Sequence, residues 1–205
     1  MAVKNVRTDE NILNYGLRDI AFQKLNDTLD PEGDILILRD VKSLSLDVEE
    51  GDAKSIWTND TIVFSKASEG AVTGSLAVLR FPDEFLIEVL GQERLKDGTL
   101  VDGKEKAAFN VFWKVQGDKE TEIRAARNVT FGNVLSQEYN TYEGDITERN
   151  ETVNFTVLGQ RVENDPDGRI QRFVRLTKSG NPELFDKVYT SGLTAPEYVS
   201  EGSEA

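Results

Sequence analysis

The chain contains neither histidine nor cysteine among its 205 residues. Missing with them are the commonest general base, the commonest metal ligand, the thiolate nucleophile and any disulfide. Without a histidine, Ser43, Ser65 and Ser75 have no Ser-His-Asp relay to join, and no Gly-x-Ser-x-Gly elbow or phosphate-cradling loop is present. The chemistry left is that of carboxylates, amides and aromatic rings. Glu163, Asp165 and Asp167 beside Gly168 bring oxygen ligands close together, as a hard cation needs. The acid that closes a calcium loop at its twelfth position is missing, which favours a simple turn. A glycosidase needs two carboxylates facing one another across a sugar; among 37 acids no pair is singled out by spacing. Trp57, Trp113 and Phe112 are residue types of a sugar-stacking platform, yet aromatic side chains in β-rich chains serve mostly as core or interface residues. Five Asn-x-Thr triplets, at Asn26, Asn59, Asn128, Asn150 and Asn154, would be glycan acceptors in a secreted chain. The stretch from Met1 to Glu10 has no apolar run behind a basic end, and Asn and Thr also suit turns and strands. This inventory assigns no catalytic residue, metal ligand or cofactor site, and it points away from an enzyme.

Composition narrows the classes further. With 38% hydrophobic and 30% charged residues the chain is neither disordered nor membrane-embedded, and it lacks the apolar run of roughly 18 residues that a membrane helix needs. Thirty-seven acids against 24 bases give a net charge of −13, which repels nucleic-acid phosphates and favours solubility at high concentration. The length suits one domain, and the start of the chain predicts folding in the cytoplasm.

The elements that would position any site read as short strands between turns. Gly16 to Leu25 alternates as a strand, although Leu13, Leu17 and Ile20 also fit one helix face. After the turn signal Asp30-Pro31-Glu32-Gly33 come the apolar run Ile35 to Leu38, then Val41, and then Leu44, Leu46 and Val48 alternating with Ser and Asp, which read as two partly buried strands. Glu49 to Ser68 carries Trp57, Ile62, Val63 and Phe64 in a polar stretch that is a loop or a protruding hairpin. Trp57, Ile62 and Phe64 are therefore the candidate contacts between subunits. Val72 to Phe81 predicts a strand, and Pro82-Asp83-Glu84 opens a helix of about two turns, with Pro82 near N1 and Gly91 at C′. Ala107 to Val115 and Glu122 to Phe131 predict an antiparallel pair. Thr152 to Val157 has the cleanest period of two, with Val153, Phe155 and Val157 on one face. Ile170 to Leu176 is a further strand, and Ser191 to Ala205 reads as a polar, mobile tail. The sum is mainly β: an antiparallel sandwich or barrel of about eight strands with one short flanking α-helix. The expected organisation is a single domain over 1–205, with a core over about 15–176, an N-terminal arm over 1–14 and a C-terminal extension over 177–205.

The run from Gly70 through Arg80-Phe81-Pro82-Asp83-Glu84-Phe85 to Leu90-Gly91 resembles the strand-then-helix core of major tail proteins of long-tailed, non-contractile phages of Gram-positive bacteria. Ala107 to Val115, Asn128 to Asn133 and the Thr-rich stretch Glu151 to Leu158 resemble the elements that follow in that family, so that the likeness covers roughly Tyr15 to Val162. The resemblance implies a tail tube subunit: hexameric rings, stacked, whose inner sheets join into one β-barrel lumen through which DNA passes without specific binding. It further implies a tape measure protein inside the tube, terminator and baseplate proteins at its ends, assembly in the host cytoplasm and residence in the virion tail. By the same resemblance the Glu49 to Ser68 stretch reaches toward a neighbouring ring. The alternative reading of the residues is a β-sandwich module that binds cell-wall carbohydrate.

Overall fold

The computed structural model describes residues 14–48, 53–58, 61–67, 71–103, 107–117, 120–132, 135–136 and 150–198. The strands are β1 (Asn14–Leu25), β2 (Pro31–Leu38), β3 (Val41–Val48), β4 (Ala53–Thr58), β5 (Thr61–Ala67) and β6 (Val72–Val78). After helix α1 (Asp83–Glu88) come β7 (Glu93–Arg94), β8 (Leu100–Val101), β9 (Ala108–Gly117), β10 (Thr121–Phe131) and β11 (Glu151–Val157). The chain ends in β12 (Gln160–Arg161), β13 (Ile170–Gln171), β14 (Phe173–Thr177) and helix α2 (Pro182–Ser191).

The main sheet runs β2-β1-β9-β10-β11-β6-β3, antiparallel throughout, with β14 added against β10. The two ends of this path, β2 and β3, are joined by only Arg39 and Asp40. A sheet whose outermost strands are two residues apart along the chain must roll up on itself. Asp40, at φ 59°, makes the corner. A strand that bends to leave one half of a sheet and join the other is the usual way such a roll turns its corner. β10 divides its other edge in the same manner. Its first half pairs with β14 and its end, Val129 to Phe131, with β11; the register shifts between Ala126 and Val129, where Asn128 has φ 51°.

Rolling creates two apolar cores on opposite faces of β1, β9 and β10. Ile20 and Phe22 with Phe109, Val111 and Trp113 face the inner core, closed by Phe81 and Phe85 of the α1 segment. Phe85 stacks on Phe81 at 4.4 Å and meets Phe22 edge-on at 5.3 Å. Ala21, Phe112, Ile123 and Ala125 face the second core, covered by Leu176, Val188 and Leu193. Burial on both faces explains why β9 reads as an almost unbroken apolar run and not as an alternation.

Most strand expectations hold: β1, β3, β6, the β9–β10 pair and the half-buried β11 lie where the periodicity placed them, while β2 begins at Pro31, inside the stretch read as a turn. Glu49 to Ser68 contains a hairpin, β4–β5. α1 is the flanking helix, although Pro82 sits at its N-cap and not at N1. Gly91, at φ 71°, falls two residues beyond the C-cap Val89, where Gln92 N–H closes on Leu86 O. A second helix, α2, adds to the expectation. Asn181 Oδ1 accepts from Leu184 N–H at 3.1 Å and Pro182 begins its first turn, the arrangement that starts helices elsewhere. The mobile end expected from Ser191 differs as well. Leu193 is 1% exposed in the second core, Arg127 donates to Thr194 O, and Tyr198 N–H donates to Glu163 O. Apolar burial at one residue and backbone pairing at its neighbours tie this stretch down; 199–205 lie outside the described residues.

Candidate assembly surface

β3 pairs with β6 such that Leu44 faces Leu76, Leu46 faces Gly74 and Val48 faces Val72. β4 pairs with β5 in the same register: Ala53 with Ala67, Lys54 with Lys66 and Ile56 with Phe64. From Ser43 to Val48 in the first ladder and from Ala53 to Ile56 in the second, the paired residue numbers add to 120, and the register shifts by one at Val41 and again at Trp57. The β4–β5 hairpin therefore keeps the pairing register of β3–β6. The β3–β6 pair has β11 as a third strand, while β4–β5 forms a two-stranded sheet of its own. A lone two-stranded ribbon is marginally stable in water, so an arm of this kind gains from a partner. Of the three candidate contact residues, Trp57 pairs with Ile62 and Phe64 with Ile56, on either side of a register shift. Their side chains lie outside the described part of the structure.

The outward face of the third-strand portion is built differently. Neighbouring strands place Asp47 beside Thr73, Thr73 beside Thr156 and Thr156 beside Thr130. The next row sets Ser45 beside Ser75 and Ser75 beside Asn154, with Ser45 Oγ and Ser75 Oγ 2.8 Å apart. These rows hold short, uncharged side chains, Asp47 excepted, in a chain that is 30% charged. A shallow groove of about 550 Å³ crosses them, lined by Asp47, Thr73, Ser75, Thr130 and Asn154. Gly74 lets the strands approach: a Cβ there would stand 2.4 Å from Ser45 O and 2.5 Å from the Phe155 ring.

The other residues singled out in the sequence are placed in structural roles. Trp113 is buried in the inner core and Phe112 in the second core, on opposite faces of β9, so they form no shared stacking platform. Asp165 turns into its own loop, accepting from the backbone N–H groups of Asp167 and Arg169 and from the Arg169 guanidinium at 2.6 Å. The Arg169 hydrogen bond is the main reason its carboxyl lies below the usual range. Asn128 Nδ2 donates to Gly159 O at 3.0 Å at the irregularity in β10, and Asn26 Oδ1 accepts from Thr28 N–H at 2.9 Å in the turn after β1.

Two buried charges have no counterpart in the sequence reading. Glu122 has no side-chain exposure and is bound by the Arg175 and Arg124 guanidiniums. The hydrogen bond from Arg175 does most to hold its pKa below the ordinary value, against the opposing effect of burial. Arg127, 5% exposed, donates to Gln171 Oε1 at 2.7 Å and to Thr194 O at 2.8 Å, with Gln160 Oε1 at 3.4 Å. These acceptors are neutral, and burial lowers its pKa to about 10. Gln23 and Asn110 extend this polar layer: Asn110 Nδ2 and Leu193 N–H both donate to Gln23 Oε1.

No protein-family model matches the chain, and no curated protein matches it in sequence. Solved structures are similar to it over most of its length. A chain from the 6-fold symmetrised baseplate of the anti-feeding prophage is 11% identical, with a TM-score of 0.41 over 86% of this chain and 97% of that one. A chain from the extended sheath-tube complex of an extracellular contractile injection system, PVC, is 11% identical, with a TM-score of 0.45 over 83% and 94%. A chain from the cap that terminates the anti-feeding prophage tube is 13% identical, with a TM-score of 0.43 over 85% and 99%.

Proposed function

We propose that this chain is a structural subunit of a phage-tail-like tube: copies join side by side into hexameric rings, and the rings stack into a hollow conduit for DNA. The observation that carries this reading is the two-stranded β4–β5 hairpin, which pairs apart from the rolled antiparallel sheet and carries apolar residues at Ile56, Trp57, Ile62, Val63 and Phe64. Such an arm is costly to leave in water and suits a contact with a neighbouring copy. The strand-then-helix order of Gly70 to Gly91, which resembles major tail proteins, gives the same direction. The net charge of −13 fits a conduit to which nucleic acid does not adhere. The chemistry is that of assembly and not of turnover. The partners of this reading are further copies of the chain, a tape measure protein inside the tube, and terminator and baseplate proteins at its ends. The sheathless, non-contractile form is the finer reading that the sequence resemblance supplies.

A second reading, binding of a neutral cell-wall carbohydrate, is favoured by the groove of hydroxyl and amide groups at Thr73, Ser75, Thr130 and Asn154. Concentrated protein viewed by negative-stain electron microscopy, with sedimentation velocity alongside, separates the two. Rings or hollow tubes of uniform width are the expected outcome. A persistent monomer that binds cell-wall glycan saturably would replace the tube reading with the second one.

A further inference from the structure

Gln23 of β1, Asn110 of β9, Arg127 of β10 and Gln160 of β12 are polar side chains, each more than nine-tenths buried. Two of them hold the strap of residues 192–198 that leaves α2. Leu193 N–H donates to Gln23 Oε1 at 3.0 Å, beside the bond from Asn110 Nδ2 at 3.2 Å. Arg127 Nη1 donates to Thr194 O at 2.8 Å, while the Leu193 side chain sits in the second core. Further on, Glu163 N–H donates to Pro196 O and Tyr198 N–H to Glu163 O, both at 2.8 Å. The strap thus runs parallel to the chain at Glu163, as an added strand would.

The strap is a poor electrostatic match for what it covers. A guanidinium has five N–H donors in a planar fork. Arg127 Nε donates to Gln171 and Nη1 to Thr194 O and, at longer range, Gln160, while Nη2 donates to no described residue. All three acceptors are neutral, and among the described residues no carboxylate pairs with Arg127. A cation withdrawn from water gains most when an anion takes the acceptor position, above all a bidentate carboxylate. The strap offers it a main-chain carbonyl oxygen, and a main-chain carboxylate at the same place presents two oxygens in place of one. The strap itself is lightly held: Thr194, Glu197 and Tyr198 are exposed, and Gly192, at φ 73°, turns the chain away from α2.

We propose that the groove under residues 192–194 is a receptor for the free carboxyl end of a partner polypeptide, and that the strap is its resident substitute. The partner's end enters extended, with an apolar penultimate side chain in the Leu193 seat. Its terminal carboxylate lies on Arg127 where Thr194 O now lies. Gln23 Oε1 accepts the N–H of the apolar residue, which fixes direction and register. Capture of a chain terminus by preset donors is one of the general modes of peptide recognition. The ligand class is therefore a chain end of the form apolar-x-carboxylate. This site is independent of the tube reading, since it is complete within one copy of the chain.

The full chain carrying Gly192→Ala is the first test. A Cβ there overlaps Gln23 Nε2 on a left-handed backbone, which drives the strap off Gln23 while α2 keeps its Asn181 cap. The probe is the tetrapeptide Ser-Gly-Leu-Thr, which copies residues 191–194. It carries a fluorophore on its N-terminus and is made once as the free acid and once as the C-terminal amide. Fluorescence anisotropy should show the acid bound at least about tenfold more tightly, a charged acceptor having replaced a neutral one. Adding Arg127→Gln should erase that difference, with circular dichroism showing that the variant is folded. In the unaltered protein, excess acid peptide should speed amide exchange over 194–198 as the strap is displaced, and the amide peptide should not. Equal affinity of acid and amide, a preference that survives Arg127→Gln, or no binding of either overturns the proposal. Should Gly192→Ala fail to fold, the exchange measurement decides alone: rates over 194–198 that the acid peptide leaves unchanged overturn it.

Discussion

At the scale of single residues, the buried charges are where this chain departs most from a plain apolar core. Arg127 is a cation among neutral acceptors, and its guanidinium ties β10 to Gln171 and to the backbone of the C-terminal stretch at Thr194. Removing it leaves those acceptors unsatisfied in a buried place. Arg127→Ala should therefore lower the unfolding free energy by about 2–3 kcal/mol in urea titration. The fragment 192–198 should also become accessible to protease. Glu122 has a pH signature of the opposite kind. Its folded pKa lies below the ordinary glutamate value of 4.5, so the stability it contributes is fully present above 4.5 and is lost as pH falls through the lower, folded value. Since Arg175 and Arg124 are each about half exposed, solvent screens the pair and the contribution should be about 1–2 kcal/mol. Glu122→Gln should show that loss at neutral pH and a flatter acid limb in thermal melts between pH 3 and 6. An unchanged acid limb would exclude the pair as the source.

At the scale of elements, close backbone approach and capping decide which segments stay in place. Gly74→Ala puts a Cβ against Ser45 O and the Phe155 ring. Backbone on one side and a core ring on the other leave no cheap relaxation, so the variant should lose about 1–3 kcal/mol, read as a lower denaturation midpoint. α2 depends on Asn181 as its cap; Asn181→Ala should cost about 1 kcal/mol, and amide exchange should rise first over Leu184 to Val188. This helix was legible in advance. Asn181-Pro182-Glu183 before Leu184, Phe185 and Val188, with Gly192 after, carries the same start and stop signals that identified α1.

At the scale of the whole molecule, the chain is a rolled sheet with an arm, and the proposed function lies in what the arm and the free edges meet in other copies. Trp57→Ala should leave the melting temperature of the unassembled protein within a few degrees of the parent. Electron microscopy should then show shorter or fewer tubes; unchanged tube length and yield would remove Trp57 from the contact. The hydroxyl rows on β3, β6 and β11 suit a surface that neither packs tightly nor binds charge, since short Ser and Thr side chains satisfy one another across strands.

The sequence alone determined the β class, most strand positions and the half-buried face of β11, because periodicity two is a local property that survives any tertiary arrangement. It also determined the absence of histidine and cysteine chemistry, and the concentration of apolar residues around Trp57. Only the tertiary structure decided that β2 runs on into β3 across a rolled sheet, that Trp113 and Phe112 point to different cores, and that β4–β5 continues the β3–β6 register. These facts depend on pairings between residues far apart in the chain. A strand's residues do not reveal which neighbour it takes, and a shift of one residue exchanges its two faces. The buried positions of Arg127 and Glu122 were hidden for the same reason: a charged residue reads as surface until the strands around it are known.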